Sequence, residues 1–175
     1  HLEGICMSHY LDDFIVLAFS QVLAVSHTRR TTEFLQTMGF SINWKKSALL
    51  PCQKLTFLGV CIDLKHLQLS LPPEKASRIL AICKSIPGKQ LVSRRELEAV
   101  AGFLSFAASY VPLGRLYLLP FLKWMNKHTY ASLRDSPVPI DQELLKSLQP
   151  WDNPDLLRTP VPKHCLLYTS DAADE

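Results

Sequence analysis

Apolar and polar positions along this chain follow two rhythms, one of short runs broken by turn residues and one with helical spacing. Ile5-Cys6-Met7 and Phe14-Ile15-Val16-Leu17-Ala18 flank Asp12-Asp13. This predicts two strands joined by a two-residue Asp-Asp turn over residues 4–18. From Gln21 to Met38, apolar Val22, Val25, Phe34, Leu35 and Met38 alternate with Arg29, Arg30 and Glu33. That spacing predicts an amphipathic helix, with Ser20 as N-cap and Gly39 as its C-terminal stop. Ser41 to Trp44 reads as a short strand. Leu55 to Ile62 is apolar on both faces and reads as a buried strand. Leu64-Lys65-His66 turns the chain, and Leu67, Leu69 and Leu71 alternate with Gln68 and Ser70 in a half-buried return strand.

The rhythm becomes helical after Pro72. Pro73 suits a first helical turn, and Ala76, Ile79, Leu80 and Cys83 form one stripe with Lys75, Arg78 and Lys84 largely off it. Pro87-Gly88 ends that element. Ser93-x-x-Glu96 is a capping box opening a helix whose stripe is Leu97, Val100, Ala101, Leu104 and Ala108. Residues 114–127 predict a third helix. Pro137, Pro139, Pro150, Pro154, Pro160 and Pro162 surround a short helix at 141–148, which predicts a linker over 137–164. The fold class expected is α+β.

Charge and cysteine usage narrow the setting. The 175 residues hold 19 Lys and Arg against 16 Asp and Glu, a net charge of +3. Cys165 to Glu175 differs in character from the rest and resembles a translated sequencing adapter, which marks 165–175 as an artefact. Without its three carboxylates the balance is 19 against 13, or +6, which suits a phosphate-backbone partner. The chain starts at His1 and reads as an internal fragment. The five cysteines, Cys6, Cys52, Cys61, Cys83 and Cys165, are irregularly spaced and odd in number. That fits reduced, buried thiols in an intracellular protein, cytoplasmic or nuclear. No apolar run approaches the roughly 20 residues a membrane span needs.

Three motifs stand in order: Tyr10-Leu11-Asp12-Asp13, then Gly39-Phe40 with Lys45-Lys46, then Phe57-Leu58-Gly59. Together they resemble the C, D and E motifs of the reverse transcriptase palm. Leu71-Pro72-Pro73-Glu74-Lys75, Arg95-Glu96-Leu97 and Val111-Pro112-Leu113-Gly114 resemble the thumb and connection of DIRS-like, tyrosine-recombinase retrotransposons. The resemblance implies a partial palm over 1–71, a helical thumb and connection over 72–136, and an RNase H domain beyond the linker.

The resemblance also implies site roles. Asp12 is the direct metal ligand and Asp13 ligates beside it or shapes the field. Two Mg²⁺ ions, with Mn²⁺ as the alternative, suit carboxylates acting together with substrate phosphates. Lys46, or Lys45, stands near the leaving pyrophosphate. Tyr10 packs near the primer terminus or template, and Phe57, Leu58 and Gly59 grip the primer. Lys75, Arg78 and Lys84 face duplex phosphates. The partners implied are an RNA or DNA template-primer and dNTPs, with no membrane. The third carboxylate of the family lies on an earlier strand, and Glu3 does not match it, so the fragment alone is expected to be inactive.

Each residue also has a plainer reading. Asp12-Asp13 can be an acidic turn, the lysine pair a solvated strand end, and the basic helix side a solvated face. Trp44, Trp124 and Trp151 are expected in packing. The rival readings of the whole are a non-enzymatic relic of a decayed element and another palm-type polymerase.

Overall fold

The computed structural model describes residues 4–129 and 137–162. The chain divides into two compact units, residues 1–58 and 59–175. The stretch from Cys165 read as an artefact lies outside the described residues.

The first unit opens with an antiparallel hairpin, β1 (Cys6–Tyr10) and β2 (Asp13–Leu17). Its register runs from Cys6 opposite Leu17 to Tyr10 opposite Asp13. The turn is therefore Leu11-Asp12, not Asp12-Asp13. Tyr10 and Asp13 close the ladder as its last pair, which places Asp13 in the strand. The helix α1 (Gln21–Thr37) follows and packs against β2. Ser20 caps it by accepting from the Leu23 N–H. At its other end Gly39 takes φ +88°. Its N–H reaches the Gln36 carbonyl at 3.0 Å, and that of Phe40 reaches Leu35 at 2.9 Å. This is the Schellman stop for which glycine is suited.

The stripe expected on α1 is not its packed face. Val22, Val25, Phe34 and Met38 are exposed, whereas Thr31 is buried and Ala24, His27, Thr28 and Leu35 are half-buried. At about 100° per residue, Phe34 stands opposite Val25 around the helix, so the apolar set never formed one arc. Ser41 to Trp44 is not a strand either. The chain there closes a turn on Asn43, whose carbonyl accepts from the Lys46 N–H at 3.1 Å and the Ser47 N–H at 3.0 Å. The apolar run expected as one buried strand is broken into β3 (Lys54–Phe57) and β4 (Val60–Asp63). Leu58 at φ +49° and Gly59 at φ +76° separate them, two successive positive values as in a type I′ turn.

In the second unit, β4 pairs with β5 (Gln68–Ser70), and β5 pairs with β8 (Val161–Pro162), both antiparallel. Three helices follow the sequence pattern closely. In α2 (Pro73–Ser85), Pro73 stands at the first turn and Ala76, Ile79 and Cys83 are buried. In α3 (Arg94–Ala108) the capping box is complete, and Leu97, Val100, Ala101, Leu104 and Ala108 are all buried. The helix α4 (Gly114–Thr129) buries Leu118, Phe121 and Trp124. No described helix is long and apolar enough to cross a membrane.

The segment expected as a linker is core. It forms β7 (Pro137–Pro139), α5 (Gln142–Leu148), a 3-10 turn (Gln149–Asp152), α6 (Pro154–Arg158) and β8. Leu144, Trp151 and Leu157 are fully buried in the cluster that also holds Leu97 and Phe121. The prolines mark starts and edges here. Pro150 and Pro154 open helical turns, where a missing N–H costs nothing. Pro137 and Pro139 flank Val138, which pairs with Val92 of β6 (Leu91–Ser93). An edge strand tolerates proline at such positions. Trp124 and Trp151 pack as expected, and Trp44 is exposed. Cys83 is buried, but Cys6 and Cys52 are exposed, against the expectation of buried thiols.

Candidate active site

The hairpin tip gathers the first motif. Tyr10 and Asp13 face each other across the ladder, so their side chains leave the same face of the hairpin. Asp12 sits in the turn beside Leu11, whose φ is +52°. A leucine in the left-handed region carries strain, which sets this turn apart from an ordinary acidic one. Tyr10, Leu11, Asp12 and Asp13 are all exposed. The two carboxylates are an oxygen-only donor set open to solvent. That fits a hard cation shared with water and phosphate, not a cage built by protein alone. No group of three or more metal-binding side chains occurs among the described residues.

The second motif lies elsewhere in the same unit. Lys45 and Lys46 are exposed in the turn closed by Asn43. The Lys46 N–H also donates to Asn43 Oδ1 at 3.3 Å, which fixes the backbone of the turn. Among the described residues no ion pair links either lysine to Asp12 or Asp13. Phe57 ends β3, half-buried, and Leu58 is exposed at the turn.

In the second unit Gly59 and Lys75 come together. A Cβ at Gly59 would collide with Lys75 Nζ and lie 2.9 Å from its Cε. The same ammonium stands over the Phe106 ring, 3.7 Å from its centroid. The Arg78 guanidinium stands over Phe103 at 4.3 Å. Lys84 is exposed in the last turn of α2, where a cation also suits the helix dipole. Sequence reasoning singled out the cations and missed the rings. A signal was present, because Phe103, Phe106 and Tyr110 are aromatic and lie off the buried stripe of α3.

No protein-family model matches the chain, and no curated protein matches it. The fold is α+β and reverse-transcriptase-like. It is similar to the solved structure of the foamy viral protease-reverse transcriptase dRH in complex with double-stranded DNA, with a TM-score of 0.66 and 22% identity. The likeness covers 91% of this chain and 25% of that one, so the chain spans a quarter of the structure it matches.

Proposed function

We propose that this chain is the palm and thumb portion of an RNA-directed DNA polymerase of a retroelement, acting on a template-primer and dNTPs. One observation carries the reading. Tyr10-Leu11-Asp12-Asp13 falls at the tip of a β-hairpin, in a chain whose fold is similar to a reverse transcriptase. Residues up to 71 would be the palm share and 72–136 the thumb and connection. The thumb-like segments at Leu71–Lys75 and Val111–Gly114 support a DIRS-like affiliation.

Asp12 and Asp13 would hold Mg²⁺ or Mn²⁺. A cation held there would supply charge stabilisation for phosphoryl transfer. Lys46, with Lys45 beside it, would neutralise or protonate the leaving pyrophosphate. Tyr10, on the same face as Asp13, would pack against the primer end. Phe57, Leu58 and Gly59 would hold the primer strand close to the backbone, with no side chain at Gly59 to intervene. Upstream fingers, a third carboxylate and a downstream RNase H domain would complete the enzyme, so the chain alone is proposed to bind template-primer weakly and not to extend it.

Fe²⁺ with ascorbate in place of Mg²⁺, in the presence of template-primer and dNTP, tests the reading. Backbone cleavage is expected around residues 10–13 and is expected to vanish in Asp12→Asn. Cleavage elsewhere, or template-primer binding indistinguishable from that of an unrelated basic protein, would overturn it. Primer extension by the isolated chain would overturn the inactivity alone.

A further inference from the structure

Four side chains on two helices are matched in reverse order. Lys75 and Arg78 stand three residues apart on α2, and Phe106 and Phe103 stand three apart on α3. Lys75 lies over Phe106 and Arg78 over Phe103, which makes a two-rung ladder of cations on rings. Gly59 closes the upper rung, because any side chain there would take the place of the Lys75 ammonium. Tyr110 extends the aromatic column, its ring 5.2 Å from that of Phe106.

A lysine on a surface helix ordinarily samples many rotamers. Binding an anion then costs the entropy of fixing one of them. A ring beneath the ammonium fixes the chain beforehand and leaves the charge intact, since the attraction is to the ring face and no counter-charge is spent. Among the described residues, no carboxylate pairs with Lys75 or Arg78. Lys75 and Arg78 stand three residues apart on α2, which puts both cations on one side of the helix, where one nucleic-acid strand can meet them together.

We infer that Phe103 and Phe106 are positioning residues, and that with Gly59 they hold Lys75 and Arg78 as a preset pair for two phosphates of a nucleic-acid backbone. The inference rests on the reading that the chain binds a template-primer. It adds the rings that aim the charges.

The test is the salt dependence of binding to a labelled RNA–DNA duplex. Each phosphate contact contributes about 0.9 to the slope of log affinity against log salt, roughly a three- to fourfold change between about 50 and 200 mM. Lys75→Gln is expected to lower the slope by about one contact. Phe106→Leu, which removes no charge, is expected to lower it equally, and Phe106→Trp to restore it. The double variant Lys75→Gln/Phe106→Leu should lose no more than either single one. A slope unchanged in Phe106→Leu while Lys75→Gln lowers it, or a slope unmoved by Lys75→Gln, overturns the ladder and leaves the polymerase reading standing. Absence of duplex binding by the unaltered chain overturns both. A second measurement needs no variant: the ε-methylene protons of Lys75 should be shifted upfield by the Phe106 ring in the free protein. A shift typical of a solvated lysine would sink the proposal even if Phe106→Leu does not fold.

Discussion

Trp124 donates its indole N–H to Asp141 Oδ1 at 2.8 Å, and the same oxygen accepts the Leu144 N–H at 2.8 Å. One carboxylate thus satisfies a buried tryptophan on α4 and caps α5. The Trp124 hydrogen bond, then that of Leu144, hold the Asp141 carboxyl below its ordinary range.

Asp141→Ala removes both bonds. Leaving the indole N–H without a partner costs about 1–3 kcal/mol, and loss of an N-cap typically about 1 kcal/mol. The expected result is a fall in stability of roughly 2–4 kcal/mol by denaturant titration. Asp141→Asn, which keeps an acceptor oxygen, is expected to recover most of it.

Gly114 is required by a close crossing. A Cβ there would meet the Ala108 carbonyl oxygen at 2.5 Å and its Cα at 2.7 Å. These are backbone atoms and cannot swing away. Gly114→Ala is therefore expected to destabilise by about 1–3 kcal/mol, against the gain of up to about 1 kcal/mol that alanine ordinarily brings to a helix. A higher melting temperature in the variant would contradict the crossing.

Glu96 gives acid sensitivity. Its carboxylate accepts from Lys89 Nζ at 2.6 Å and from the Ser93 N–H at 3.0 Å. The Lys89 bond first, then the Ser93 backbone, lower its pKa from 4.5 to about 2. A depressed folded value stabilises above the unfolded one and is lost as pH falls from 4.5 toward 2. The pair is half exposed, so the effect is modest, on the order of 1 kcal/mol or less. Glu96→Gln should flatten the loss of stability between about pH 5 and pH 2. Equal slopes in both proteins would count against the assignment.

The four cysteines among the described residues should react in order of exposure. Burial, and then the nearby Asp152 charge, push the Cys83 thiol up to about 12. Cys6 and Cys52 are exposed and Cys61 half-buried. Brief alkylation of the folded protein followed by mass spectrometry should label Cys6 and Cys52, then Cys61, with Cys83 modified only after unfolding. Early labelling of Cys83 would contradict its burial.

What could be read from the sequence was what local chemistry dictates. Ser20, Gly39, Pro73 and the Ser93–Glu96 box mark helix ends by their own hydrogen-bonding needs, and each did so here. The α3 stripe was equally plain, because five apolar residues share one arc. The errors came where distant partners decide. Pro137 to Pro162 looked like a linker because proline is common in linkers, yet Val138 and Trp151 find their neighbours far away in sequence. Leu11, Leu58, Leu67 and Leu113 all take positive φ, which leucine does not advertise. The hairpin that carries the motif was legible, and its turn register was off by one because a two-residue loop leaves the closing pair to the ladder. The rings under Lys75 and Arg78 were not, since a contact between helices has no local signature.

The pairing of β5 with β8 joins Leu69 to Val161, and that of β6 with β7 joins Val92 to Val138. A chain made from its N-terminus must therefore hold β6 unpaired, and one edge of β5 open beside β4, until the proline-bearing segment has left the ribosome. These two pairings therefore close only after residues 137–162 are made, and long-range pairings of this kind are slow steps. A nascent chain stalled before Val161 would present the open edge of β5 to its surroundings, and an unpaired edge is a template for pairing with another chain.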